Sequence, residues 1–107
     1  MKFLILLLIP IILLSGCAQT THSTPVAQGM CVQLCNSALD SGQNLDSGPC
    51  LSDNNTDWNI YDWVCDVAHS PRIDMDNLPE NQCSAYRDGQ AHHFVEVDEK
   101  CDLIRVV

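Results

Sequence analysis

The sequence predicts an α+β fold: a small disulfide-rich domain in which one helix, over about residues 30–41, packs on a roughly three-stranded antiparallel sheet with a C-terminal hairpin. Two observations carry this. Cys31, Cys35, Cys50, Cys65, Cys83 and Cys101 form an even set beyond residue 30, as in small exported domains stapled by disulfides. The apolar residues also change period along the chain, from helical spacing near Cys31 to strand-like alternation near Cys65 and His93.

The helix rests on CVQLCNSALDSG. Cys31, Leu34, Cys35, Ala38 and Leu39 fall at i, i+3, i+4, i+7 and i+8, one helical face, and Gly42 is a natural stop. Cys31 and Cys35 sit one turn apart, where Cβ atoms are ~5–6 Å from each other. A disulfide needs ~3.5–4.5 Å. Each is therefore expected to reach out to a different partner among Cys50, Cys65, Cys83 and Cys101, with Cys65 and Cys101 the strand-borne targets.

In NIYDWVCDVAH, Tyr61, Trp63, Cys65 and Val67 alternate with Asp62, Val64 and Asp66, which reads as a half-buried strand. A helix starting near Asp57 is the competing reading. HHFVEVDEKCDLIRVV gives two β-rich runs separated by Asp98-Glu99-Lys100, a hairpin. Residues 43–57 and 70–82 are rich in Asn, Asp, Ser, Gly and Pro and read as loops. A domain this small needs its disulfides. In the chain-entropy model each loop of ~15 residues or more closed by a bridge contributes roughly 3 kcal/mol.

The N-terminal run from Phe3 to Leu14 follows Lys2 and is apolar apart from Pro10. At ~1.5 Å per residue it reaches only about 18 Å, short of the ~30 Å of a bilayer core. A signal peptide over residues 1–16 fits better. The residues that close it, Leu14-Ser15-Gly16, together with Cys17 resemble the lipobox of prokaryotic lipoproteins. That resemblance implies that Cys17 is alkylated with diacylglycerol and becomes the first mature residue, holding the protein at a membrane outside the cytoplasm, in the periplasm or at the cell surface. The cysteine count agrees: seven is odd, and Cys17 is the one left over. Residues 17–29 are polar and small and read as a flexible tether, leaving residues 30–107 as the domain.

With 5 Lys and Arg against 14 Asp and Glu, the formal net charge is −9. Nucleic-acid binding is disfavoured, because affinity for phosphate backbones comes mainly from basic side chains. Solubility accounts for an acidic surface. A protein partner on the envelope is the expected contact besides the membrane.

Few constellations carry chemistry. Strand parity puts His69 and His93 toward one face; were their strand ends to adjoin, they and Asp66 or Glu96 could hold a metal. Ser70-Pro71-Arg72 could act as the inhibitory loop of an extracellular protease inhibitor. DNNTDWN places Asp53, Asn55 and Asp57 like the start of a calcium loop, but Trp58 stands where such a loop requires Gly and Val64 where it requires Glu. Asn54-Asn55-Thr56 is a glycosylation sequon. No nucleophile motif or phosphate loop is present, so neither enzymatic activity nor a cofactor is expected. The segments CDVAHSPR, NLPENQC and HHFVEVD are together similar to a small cysteine-rich prokaryotic family, a resemblance that implies no particular activity.

Overall fold

The computed structural model describes residues 23–107. The leader, the lipobox and Cys17 lie outside the described residues. The chain runs through helix α1 (Thr24–Asp40), strand β1 (Trp63–Val67), two single-turn 3₁₀ helices (Asp74–Asn77 and Pro79–Asn81), the short helix α2 (Ser84–Arg87), and strands β2 (His93–Val97) and β3 (Leu103–Val106). This is the expected α+β, disulfide-rich class.

Helix α1 begins at Thr24, inside the segment expected to be tether. Pro25 in its first turn is pre-set for helical φ. Ala27 also extends the i, i+4 series that continues through Cys31 and Cys35, and these three are its buried residues. Leu34 and Ala38 flank that face, while Leu39 turns outward. The helix stops where Gly42, at φ 85°, donates its N–H to the Leu39 carbonyl and Gln43 donates to Ala38, closing orphan carbonyls as a glycine cap does.

The sheet order is β1-β2-β3. The expected hairpin is present: β2 and β3 pair antiparallel, with Glu96 opposite Arg105. The expectation of a purely antiparallel sheet is corrected at β1, which runs parallel to β2 in the register Trp63↔His93 to Val67↔Val97. Parallel neighbours need a crossover of a dozen residues or more, and residues 68–92 provide it. The strand also starts later than the alternation suggested. Tyr61 is exposed, and Asp62 breaks the extended run with φ 67°. At its free edge β1 is covered by residues 49–52: Val67 donates to the Pro49 carbonyl, and Leu51 donates to that of Cys65.

Alternation then sorts the residues onto two faces. Trp63, Cys65, Val67, Val95 and Val97 face α1 and form the main core with Ala27, Cys31, Cys35 and Leu45. Val64 packs on the opposite face with Cys83, Ala91 and Phe94. The disulfides follow the faces. Cys31–Cys65 and Cys35–Cys101 pin α1 to the inner side, and Cys50–Cys83 closes the outer one. The helix cysteines thus reach separately to Cys65 and Cys101.

Gly29 lies exposed within α1, and a Cβ added there would meet nothing within 4 Å. Gly29→Ala is expected to stabilise the domain by about 0.5–1 kcal/mol, read as a higher urea midpoint at unchanged slope.

Candidate functional site

The outer sheet face carries the polar chemistry of the domain. On β1 and β2 the residues that alternate outward after Val64 and Phe94 are Asp66 and Glu96, and the parallel register sets these two acids directly opposite each other. Residues 70–88 arch over them and enclose a pocket of about 270 Å³. Val64 and Phe94 form apolar lining, Tyr86 and Arg87 come from α2, and Arg72 comes from the crossover.

Glu96 is 5% exposed, and burial of a carboxylate requires compensation. It comes from both sides. Arg72 Nη1 donates to Oε2 at 2.9 Å, and Arg105 Nε lies 3.3 Å from Oε1. Arg105 also stacks its guanidinium 5.1 Å from the Phe94 ring centre, a cation–π contact. Tyr86 meets the same ring edge-on at 5.0 Å.

Arg72 is delivered by a loop organised around Asp76, which is 1% exposed. Oδ2 of Asp76 accepts the backbone N–H groups of His69 and Ile73, each at 3.0 Å, and Oδ1 lies 2.8 Å from His69 Nδ1. Burial pushes the Asp76 carboxyl up, but the Ile73 amide and the His69 ring more than offset it, so the group ends below its ordinary value. The His69 ring is correspondingly held above its ordinary value by the bond to Asp76. Gly48 packs on this hub at φ 70°. A Cβ there would lie 2.6 Å from Asp76 Oδ1 and 3.0 Å from the Val67 carbonyl.

Asp66 stands in the opposite condition. Burial pushes its carboxyl up to about 8, helped by the Glu96 carboxylate and opposed by Arg72. Its Oδ1 is buried with no hydrogen-bond partner among the described residues. The Cys50 and Cys83 sulfurs and the Asp66 carboxylate lie within 4.8 Å of one another. The two sulfurs are bonded to each other, so neither offers the thiolate that metal binding requires. Their effect is to shield Asp66 from water.

The residues singled out from sequence fall apart in space. The metal reading needed the ends bearing His69 and His93 to adjoin. The parallel register instead puts His93 beside Trp63 at one end of the sheet and His69 beyond Val67 at the other, on the order of 15–20 Å away along the strands. His93 stacks on Trp63 at 4.7 Å, and His69 is tied to Asp76. Nor is Arg72 presented as an inhibitor's specificity residue would be. Its Nε donates to Asn77 Oδ1, Nη1 to Glu96 and Nη2 to the Asp76 carbonyl, so its guanidinium turns back onto the protein. In the calcium-like stretch, Asp53 accepts the Ser84 N–H at the start of α2, and Asn55 bonds to Leu51 and Asp57. These are turn and cap contacts. The groove this stretch forms with α1 is larger, about 490 Å³, but no buried unpaired group points into it among the described residues. Asp66 was legible as alternating with the Cys65 side of its strand, while the roles of Arg105 and Asp76 had no signal in the sequence reading to reveal them.

Comparison of the chain with protein-family models, with curated proteins and with solved structures returned no match.

Two predictions follow from this geometry. Gly48→Ala should destabilise the domain by about 2–3 kcal/mol, since it combines a positive φ with a clash against a fixed buried carboxylate; equal urea midpoints for variant and parent would count against it. Asp66 ionises near 3.8 when unfolded and near 8 when folded. Across that window the folded state holds a proton that the unfolded state has released, so the group's contribution to stability falls as pH rises and levels off above about 8. Asp66→Asn removes the slope, and its stability advantage over the parent should grow from pH 4 to pH 8, to on the order of 2–5 kcal/mol.

Proposed function

We propose that this chain is a lipid-anchored, extracytoplasmic lipoprotein whose stapled domain acts as a binding module, with the pocket on the outer sheet face as its working surface. The observation that carries the reading is the pairing of the cysteines. All six in the described part are used in three disulfides. Cys17, in its lipobox-like setting, is the one thiol left for other chemistry. Disulfides of this density belong to an oxidising compartment outside the cytoplasm. No helix among the described residues is long and apolar enough to cross a membrane, and a lipid on Cys17 would supply the attachment.

Binding fits the pocket better than catalysis does. A carboxyl raised like that of Asp66 could serve as a general acid. Hydrolysis of the glycosidic kind needs a second carboxylate as base or nucleophile, and both oxygens of Glu96 are held by guanidinium groups. The remaining lining includes the Tyr86 and Phe94 rings and three arginines, groups suited to holding a ligand.

Mass spectrometry of the membrane-extracted protein should find Cys17 at the mature N-terminus carrying acyl chains. Cys17→Ser should leave the protein unprocessed or release it from the membrane. A retained 1–16 segment, or an unmodified Cys17 on membrane-bound protein, would overturn the anchor.

A further inference from the structure

The basic residues within 23–107 are Arg72, Arg87, Lys100 and Arg105, and all but Lys100 line the outer-face pocket. In a chain of formal net charge −9, this convergence gives one small cavity a sign opposite to that of the molecule. Glu96, between Arg72 and Arg105, and the exposed Asp88, 3.6 Å from Arg87 Nε, compensate only part of it. Arg72 is fully oriented by Asn77, Asp76 and Glu96. Arg105 touches Glu96 through Nε, and its terminal nitrogens carry no hydrogen bond among the described residues. Arg87 stands at the mouth, bonded to the Pro79 carbonyl.

Two further features restrict what would fit. Asp66 lines the same pocket, with Oδ1 buried and unpartnered beneath it, and a neutral carboxyl there can donate its O–H to an incoming acceptor. The Phe94 and Tyr86 rings, together with Val64, supply an apolar wall. A cavity of about 270 Å³ takes a group about the size of one aromatic residue.

We propose that the pocket binds a monoanionic carboxylate carried on a short aromatic or apolar body, either a free aromatic acid or the C-terminal residue of a peptide. The carboxylate accepts from the terminal nitrogens of Arg105 and from the Asp66 O–H, and the body lies along Phe94 and Tyr86. Arg87 closes the mouth. A cationic ligand would meet three guanidinium groups. A dianion such as phosphate would crowd its second charge against Glu96. The assignment rests on the outer face being the binding surface, but not on the lipid anchor, which is scored separately on Cys17.

The groups facing Asp66 are Glu96 from β2, Arg72 and Asp76 from the crossover, the Val67 amide of its own strand and the Cys50–Cys83 disulfide. Above the range where Asp66 loses its proton, the donor becomes a second negative charge, and affinity should fall.

The test is a nuclear magnetic resonance titration of the oxidised full chain in detergent micelles with benzoate, benzamide, the dipeptide Gly-Phe, its C-terminal amide, and inorganic phosphate. Benzoate, Gly-Phe or both should shift the Val64, Phe94 and Glu96 amides saturably with millimolar Kd, and the relative affinity of the two tells a free acid from a peptide terminus. The uncharged amides should not bind. Arg105→Gln should weaken binding about tenfold or more. Asp66→Asn keeps a donor in place, so binding at pH 6 should stay within about threefold, and the decline between pH 7 and pH 9 seen in the parent should vanish. Equal binding of acids and amides, tighter binding of phosphate than of both acids, loss of binding in Asp66→Asn, or no response to either acid would overturn the assignment. The last result alongside a lipidated Cys17 would remove the ligand while leaving the anchored protein in place.

Discussion

Cys31 and Cys35 are the constraint on which this domain turns. Placed one helical turn apart and joined to Cys65 in the first strand and to Cys101 beyond the second, they fix both the position and the direction of α1 across the sheet. The inner face is thereby filled by the helix and its valine, leucine and tryptophan neighbours. The buried Glu96 and its two arginine partners lie on the opposite face. There the third bridge, Cys50–Cys83, ties the crossover down onto β1 and β2 and turns an exposed sheet surface into a walled pocket.

Electrostatics on that face follow from one pairing. Asp66 and Glu96 stand opposite each other because β1 and β2 are parallel and in register. Like charges so placed repel, and the two acids resolve the conflict differently. Glu96 keeps its charge by holding guanidinium groups from two elements. Asp66, shielded by the disulfide and left without a partner at Oδ1, retains its proton into the neutral range. Asp76 performs a third task, gathering the backbone of residues 69–73 so that Arg72 arrives already aimed. Side chains dispersed along an acidic loop sequence thus converge through one buried carboxylate.

Much of the inner architecture was legible in the sequence, because short-range geometry governs it. The i, i+4 spacing of Cys31 and Cys35 excludes a bond between them and points them at a common surface, whichever strands supply it. The C-terminal hairpin is local in the same sense. The direction of β1 was not legible: a connection as long as residues 68–92 can return a strand either way, and no local pattern distinguishes the outcomes. That one unknown decided the candidate site. An antiparallel β1 would have brought His69 toward His93, whereas the parallel one brings Asp66 to Glu96. The start of α1 was missed for another reason. Polar composition argued for a tether, while the single buried Ala27 and the helix-compatible Pro25 were enough to continue the helix upstream.

The overlap of the bridges gives the chain a property that no individual bridge has. Every peptide bond between Cys31 and Cys101 lies inside at least one covalent ring, since the Cys31–Cys65 ring overlaps the longer Cys35–Cys101 ring. A protease that cuts an exposed turn once, even within the crossover, therefore leaves both pieces joined. The severed ends stay close enough for the sheet and helix to hold them in place. Outside the cytoplasm, where lost molecules must be exported anew, one nick would scar the domain without shedding any part of it.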